Sequence, residues 1–186
     1  MTKFRELGQR VPPRRSQEIE DIASCFRAMI ATVISSPIDI VRVLEHFLVT
    51  NYGVEYEYPP KDEMSQEGLT RPDDRSIKIR LDVYEAACKG DPRGRFTIAH
   101  EIGHLLLHQG VTPEFARDGN QAHQIFEDSE WQADEFAGAL LIPSSAVESC
   151  DNPEELCEKY GVSIEAAETR YRNHVKRKQK RLQVRP

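Results

Sequence analysis

The stretch RFTIAHEIGHLLLH, Arg95 to His108, sets His100, Glu101 and His104 in the spacing H-E-x-x-H. On an α-helix, residues i and i+4 lie one turn apart on the same face, so two imidazoles can converge on one ion while the glutamate flanks it. Two neutral imidazoles and one carboxylate leave a bound Zn²⁺ with residual positive charge and an open fourth position for water. Glu101, placed beside the ion without ligating it, can take a proton from such a water and later pass it to a leaving amine. The reaction this pattern implies is hydrolysis of a peptide bond. Mn²⁺ or Fe²⁺ can also occupy a site of two nitrogens and one oxygen, with availability deciding between them.

Three fixed positions can arise by chance, so the context has to carry weight. Phe96, Ala99, Ile102, Leu105 and Leu106 recur at helical spacing and give the segment an apolar face that would bury it. Gly103 costs about 1 kcal/mol inside a helix relative to alanine, which makes sense if another element must approach the backbone there. Gly110 and Pro113 end the run. The longer motif H-E-x-x-H-x-x-G-x-x-H is excluded, since its glycine and third histidine would stand where Leu107 and Gly110 are found.

The third ligand is therefore sought downstream, in EDSEWQADEFAGALLIP, residues 127 to 143, which reads as a second helix stopped by Pro143. Glu130 and Asp134 are spaced i, i+4 and project from one face. Glu130 is expected as the ligand, with Asp134 accepting a hydrogen bond from the outer nitrogen of a ligand histidine and fixing its tautomer. Asp134, Glu127 and Glu135 stay open as alternative ligands. Phe126, Ala133, Phe136, Ala137, Leu140 and Leu141 are expected on the core side.

The pairing of RFTIAHEIGHLLLH with EWQADEFAGALLIP resembles the ImmA/IrrE metallopeptidase family, over about residues 20 to 172. By matching position, the resemblance implies His100, His104 and Glu130 as zinc ligands and Glu101 as the catalytic acid and base. It also implies a substrate class: DNA-binding repressors of the helix-turn-helix type, cut to derepress stress or mobile-element genes. Spacing alone does not lead to that substrate.

With 186 residues, 39% apolar and 30% charged, the chain is sized for one globular domain with tails. No apolar run approaches membrane-span length and MTKFRELGQRVPPRR lacks the apolar core of a signal peptide, so the expectation is a cytoplasmic protein without a membrane partner. Cys25, Cys88, Cys150 and Cys157 form no C-x-x-C pair and are expected to be reduced thiols used in packing.

Residues 1 to 16, with five Lys or Arg and the pair Pro12-Pro13, predict a disordered basic arm. Ile19, Ile22, Ala23, Phe26, Met29, Ile30 and Val33 predict a helix to about Ser35, and Ile38 to Val49 a second, with Ile40, Val41, Leu44, Phe47 and Leu48 inward and His46 in solvent. Val54, Tyr56 and Tyr58 alternate with Glu55 and Glu57 as a strand, and residues 77 to 81 form another, expected beside the cleft by analogy with zincin-like folds. Residues 85 to 94 and 109 to 125 read as loops, the second able to cover the site. His108, His123 and Tyr84 are candidate donors to a developing oxyanion.

After Pro143, residues 153 to 160, the turn Gly161-Val162-Ser163 and a helix from Ile164 to about Val175 form a helix-turn-helix-like pair with Ser163 as N-cap. Residues 170 to 186 hold eight Lys or Arg and no acid, while the rest of the chain carries 17 basic against 31 acidic residues. That division raises a second class of function, a DNA-binding or protein-binding regulator that uses the helical pair and basic tail, with a structural or sensory metal. Against nucleic acid stand the acidic body and the lack of interleaved aromatics. The organisation expected is a basic arm (1–16), an α+β zincin-like metallopeptidase domain (17–150) with a small mixed sheet and two metal-binding helices, a C-terminal helical pair (151–175), and a disordered basic tail (176–186).

Overall fold

The computed structural model of the chain describes residues 8–30, 37–111 and 123–183. Helix α1 (Ser16–Ile30) starts where the Glu18 carboxylate accepts from the Arg15 N–H at 2.8 Å, and it buries Ile19, Ala23 and Phe26 along one stripe. The predicted extension to Ser35, and Val33 with it, falls outside the described residues. A second helical run follows as α2 (Ile40–Arg42), a π-helical stretch (Val43–Leu48) and α3 (Val49–Tyr52). The wider π turn brings Val43 into the core together with Leu44 and Leu48, whereas Val41 and Phe47 are only partly buried. His46 is exposed, as the spacing predicts. Gly53 closes the run in the left-handed region at φ 63°, which a glycine adopts without steric cost.

The sheet has the strands β1 (Glu55–Glu57), β2 (Gly68–Arg71) and β3 (Ser76–Ile79), in the order β1-β3-β2. β3 lies in the centre, parallel to β1 and antiparallel to β2. The expectation of residues 77 to 81 at the cleft is thus corrected: β2 is the strand beside the H-E-x-x-H helix. Leu81 does not extend β3 but opens helix α4 (Leu81–Cys88), and residues 92 to 94 open the next helix, so seven of the ten residues of the expected loop 85 to 94 are helical.

Helix α5 (Pro92–His108) begins with Asp91 accepting from the Gly94 N–H at 2.8 Å and Pro92 in the first turn, a position where its missing N–H costs nothing. Helix α6 (Ser129–Leu141), preceded by a 3-10 turn at Ile125–Glu127, is capped by Asp128, which accepts from the Trp131 N–H at 2.8 Å. α5 packs against α6, and α1 against the other side of α6. A Cβ at Gly103 would stand 3.1 Å from the Phe136 ring and 3.2 Å from the Ala133 Cα. This is the close approach that the glycine was expected to serve. Ala133, Phe136, Ala137, Leu140 and Leu141 are buried as predicted, but Phe126, in the 3-10 turn ahead of the helix, is 43% exposed.

Helices α7 (Ser144–Ser149), α8 (Pro153–Tyr160) and α9 (Ile164–Gln183) complete the described residues. Ser163 accepts from the Ala166 N–H as the expected cap. α9 continues well past Val175, so the disorder expected from residue 176 gives way to helix as far as Gln183. The basic arm also departs from expectation in residues 8 to 14. Val11 N–H donates to the Glu127 carbonyl at 2.8 Å, Ser129 N–H to the Gln9 carbonyl at 3.0 Å, and the Val11 side chain is buried. Among the cysteines, which are free thiols, Cys150 is buried and Cys157 half-buried, while Cys25 and Cys88 are exposed and do not serve packing.

Buried guanidinium groups join the pieces. Arg95 donates to the carbonyls of Tyr160 (2.7 Å), Gly161 and Ile38 (3.0 Å), tying α5 to the end of α8 and the entry of α2. Arg170 of α9 donates to Glu20 of α1 at 2.6 Å and to the Ile142 carbonyl at 3.0 Å, with 7% of each charged side chain exposed. Removing one member of a buried ion pair costs about 3–5 kcal/mol because the other charge stays desolvated. Arg170→Ala is therefore expected to lower unfolding stability by that amount in urea titrations, and an unchanged midpoint would refute the assignment.

Candidate metal centre

α5 carries the two histidines on the face turned to α6, and the first turn of α6 supplies the acid. His100 Nε2 and His104 Nε2 are 3.0 Å apart. Glu130 places Oε2 3.2 Å from His100 Nε2 and Oε1 3.3 Å from His104 Nε2. A tetrahedral ion with bonds of about 2.0–2.2 Å spreads its ligand atoms about 3.3–3.5 Å apart. Each ring nitrogen has a different Glu130 oxygen within 3.3 Å, and one donor atom from each of the three residues lies within 4.8 Å of the other two, so two imidazole nitrogens and a carboxylate oxygen fit a divalent cation. The alternatives left open fall elsewhere: Glu127 pairs with Arg10 at 2.9 Å and Glu135 accepts from Asn173. Asp134 takes the outer side of the site, 2.9 Å from His100 Nδ1, where it accepts that ring's N–H.

The electrostatics follow from these contacts. Burial disfavours the imidazolium of His100, but hydrogen bonds to Asp134 and Glu130 outweigh it and raise the pKa to about 10. The close contacts with the His100 and His104 rings hold the Glu130 carboxyl well below the usual carboxylate range. Glu101 is 6% exposed, and burial pushes its carboxyl up, against the opposing hydrogen bond from Thr70 and the neighbouring imidazoles. A carboxylate made more basic by its surroundings is suited to accepting a proton.

β2 supports Glu101 in two ways that the sequence pattern did not reveal. Thr70 Oγ1 donates to Glu101 Oε2 at 2.6 Å, and Gly68 leaves room for the carboxyl group: a Cβ there would lie 2.7 Å from the Glu101 Cδ. Glu101, His100, His104 and Glu130 all line a cleft of about 610 Å³, whose other walls include Gly68, Thr70 and the arm residues Gly8, Gln9 and Val11. Gly8 is pressed against Glu130, where a Cβ would stand 2.6 Å from its Cγ.

The three candidate oxyanion donors are engaged elsewhere. Tyr84 bonds Glu45 at 2.9 Å, and His123 bonds Asp128 at 2.9 Å. His108 is buried between His104 and Gln132, and burial together with the neighbouring His104 lowers its pKa to about 4, leaving it a neutral ring. The expected covering loop lies largely in residues 112–122, outside the described residues.

Comparison with known proteins agrees with this geometry. A family model described as IrrE N-terminal-like domain, Peptidase_M78, matches residues 50–172, a span that contains both metal-binding helices. No curated protein matches the sequence. Among solved structures, a transcriptional regulator of Mycobacterium tuberculosis superposes with a TM-score of 0.53 at 15% identity. The match covers 82% of this chain and 46% of that one, and at this identity it speaks for the fold alone. With the family match extending over well over half of its length and both metal-binding motifs inside that span, the chain belongs to the IrrE N-terminal-like family of metallopeptidases.

Proposed function

We propose that this chain is a zinc-dependent endopeptidase that makes limited cuts in a partner protein, namely a DNA-binding repressor of the helix-turn-helix type, and so derepresses stress or mobile-element genes. The observation that carries this reading is the cluster of His100, His104 and Glu130, whose ring nitrogens lie 3.0 Å apart with a Glu130 oxygen within 3.3 Å of each, beside the buried Glu101. A zinc ion held there supplies Lewis-acid polarisation of a substrate carbonyl and makes a water easier to deprotonate. Glu101 accepts the proton and returns it to the departing amine. Thr70 keeps its carboxylate aimed into the cleft, and Asp134 holds the His100 ring in place.

Among the described residues β2 pairs with β3 alone, and Gly68, Leu69 and Thr70 line the cleft. An extended segment of substrate can add to that edge by backbone hydrogen bonds, which explains how a shallow cleft could select a loop or linker over a folded core. The substrate class is carried by the family resemblance, and the cytoplasmic setting of a repressor suits it. A second reading, a regulator that binds protein or DNA and uses its metal as a sensor, draws on the name of the similar Mycobacterium tuberculosis protein and on the basic α9.

Incubation with a helix-turn-helix repressor encoded beside this gene separates the two. Intact-mass measurement over time is expected to show two fragments that accumulate with zinc and do not form with chelator. Fragments that appear equally with chelator present would count against metal-dependent proteolysis. A stable complex with no fragments would favour the binding reading.

A further inference from the structure

We propose that His108 and Gln132 are positioning residues that fix the ring of His104 so that its Nε2 is the atom presented to the metal ion. The inference rests on His104 being a ligand, as the proposed function requires, but it does not depend on cleavage.

The argument starts from the main chain. Gln132 is fully buried, and its side-chain nitrogen lies 2.9 Å from the carbonyl of Pro12 and 2.9 Å from that of Phe126. Two carbonyl acceptors demand the NH₂ end of the amide, so the oxygen end must be the one that faces His108. That oxygen lies 3.2 Å from His108 Nε2 and can only accept, so the His108 proton sits on Nε2. His108 is buried, and its two hydrogen-bond partners, the Gln132 oxygen and the His104 ring, include no anion that would hold a second proton on it, so the ring is protonated at Nε2 alone and its Nδ1 is bare. His108 Nδ1 is 3.1 Å from His104 Nδ1, and two ring nitrogens form a hydrogen bond at that distance only if one of them carries the proton. The donor is therefore His104 Nδ1, and the His104 Nε2 lone pair is left for the ion. Main-chain carbonyls have no tautomers, so the assignment is anchored at its far end by groups that cannot change it.

The two ligand histidines are thus set by different means. His100 leans on the carboxylate of Asp134, whereas His104 leans on a neutral ring. A second anion beside the ion would reduce the charge available to polarise a carbonyl. A neutral acceptor orients the ring without that loss.

Two-bond proton–nitrogen correlation spectra of the ¹⁵N-labelled chain, recorded metal-free and with zinc, test the assignment directly. The expected spectra have His108 protonated at Nε2 and His104 bearing a proton on Nδ1 in both states. A His108 ring protonated at Nδ1, or a His104 ring protonated at Nε2 alone, overturns the proposal. Competition with a chromophoric chelator adds a second readout. His108→Leu is expected to weaken zinc binding by about 10–100-fold, while His108→Asn, whose amide oxygen stands where Nδ1 stood, recovers most of it. Wild-type affinity in the leucine variant, or an asparagine variant as weak as leucine, would refute the role. Should the leucine variant not fold, the spectra of the unaltered chain decide. A chain with the expected protons that takes up zinc but cleaves no partner would refute the peptidase reading while leaving this one standing.

Discussion

Glu101→Gln is expected to retain its metal and lose cleavage, with the rate constant falling by about 10²–10⁴-fold, the usual worth of a general base. The amide matches the carboxylate in shape and still accepts the Thr70 hydroxyl through its oxygen, so the 2.6 Å contact and the packing around Gly68 need not change. Only the capacity to take a proton is removed. Metal content by mass spectrometry and the rate of fragment formation, measured on the same preparation, separate the two effects. Full activity in the glutamine variant would end the proposed mechanism, whereas loss of metal would mean that Glu101 itself ligates.

The second large effect concerns the ion. Glu130→Ala and His104→Ala are each expected to emerge from dialysis without metal and without activity, because either change leaves only two of the three protein donors. Asp134→Asn is expected to keep the ion with about 10–100-fold lower affinity, since Asp134 touches the outer nitrogen of His100 and not the cation position. Zinc uptake should also release a proton: hydrogen bonds to Asp134 and Glu130 raise the His100 pKa to about 10, and its Nε2 must be bare to hold the ion. Affinity accordingly falls as the pH falls from 10. Calorimetry in buffers of different ionisation heat reads both the affinity and the proton count. A Glu130→Ala protein that kept stoichiometric zinc would move the ligand role to another acid.

The candidate metal centre was legible because its spacing is written in helical periodicity. His100 and His104 share a turn, Glu130 and Asp134 share another, and both intervals survive any detail of how the helices pack. Gly103 was legible for a related reason, as a costly residue in a helix with no local use. The sheet was less so. β2 is four residues long, contains Gly68 and Thr70, and shows no apolar alternation, so its identity depends on pairing with β3 and not on its own composition. α4 was obscured by the Lys89-Gly90-Asp91-Pro92 turn that follows it. His108 and Gln132 gave no signal as a pair because the helices they belong to meet only in three dimensions, although the i, i+4 relation of His104 and His108 showed half of it.

The docking of the arm had no sequence signature at all, as it depends on backbone bonds between residues nearly 120 positions apart. Its effect reaches further than its size suggests. Asp128 uses one carboxylate oxygen to cap α6 and offers the other to the Gly8 N–H at 2.7 Å, while the Pro12 carbonyl takes one of the Gln132 amide hydrogens. The turn that bears Glu130 is thereby braced from outside by the chain's own beginning. Peeling residues 8 to 14 away would slacken the acid and the imidazole together, so the grip on the cation and the seating of that segment loosen as one event.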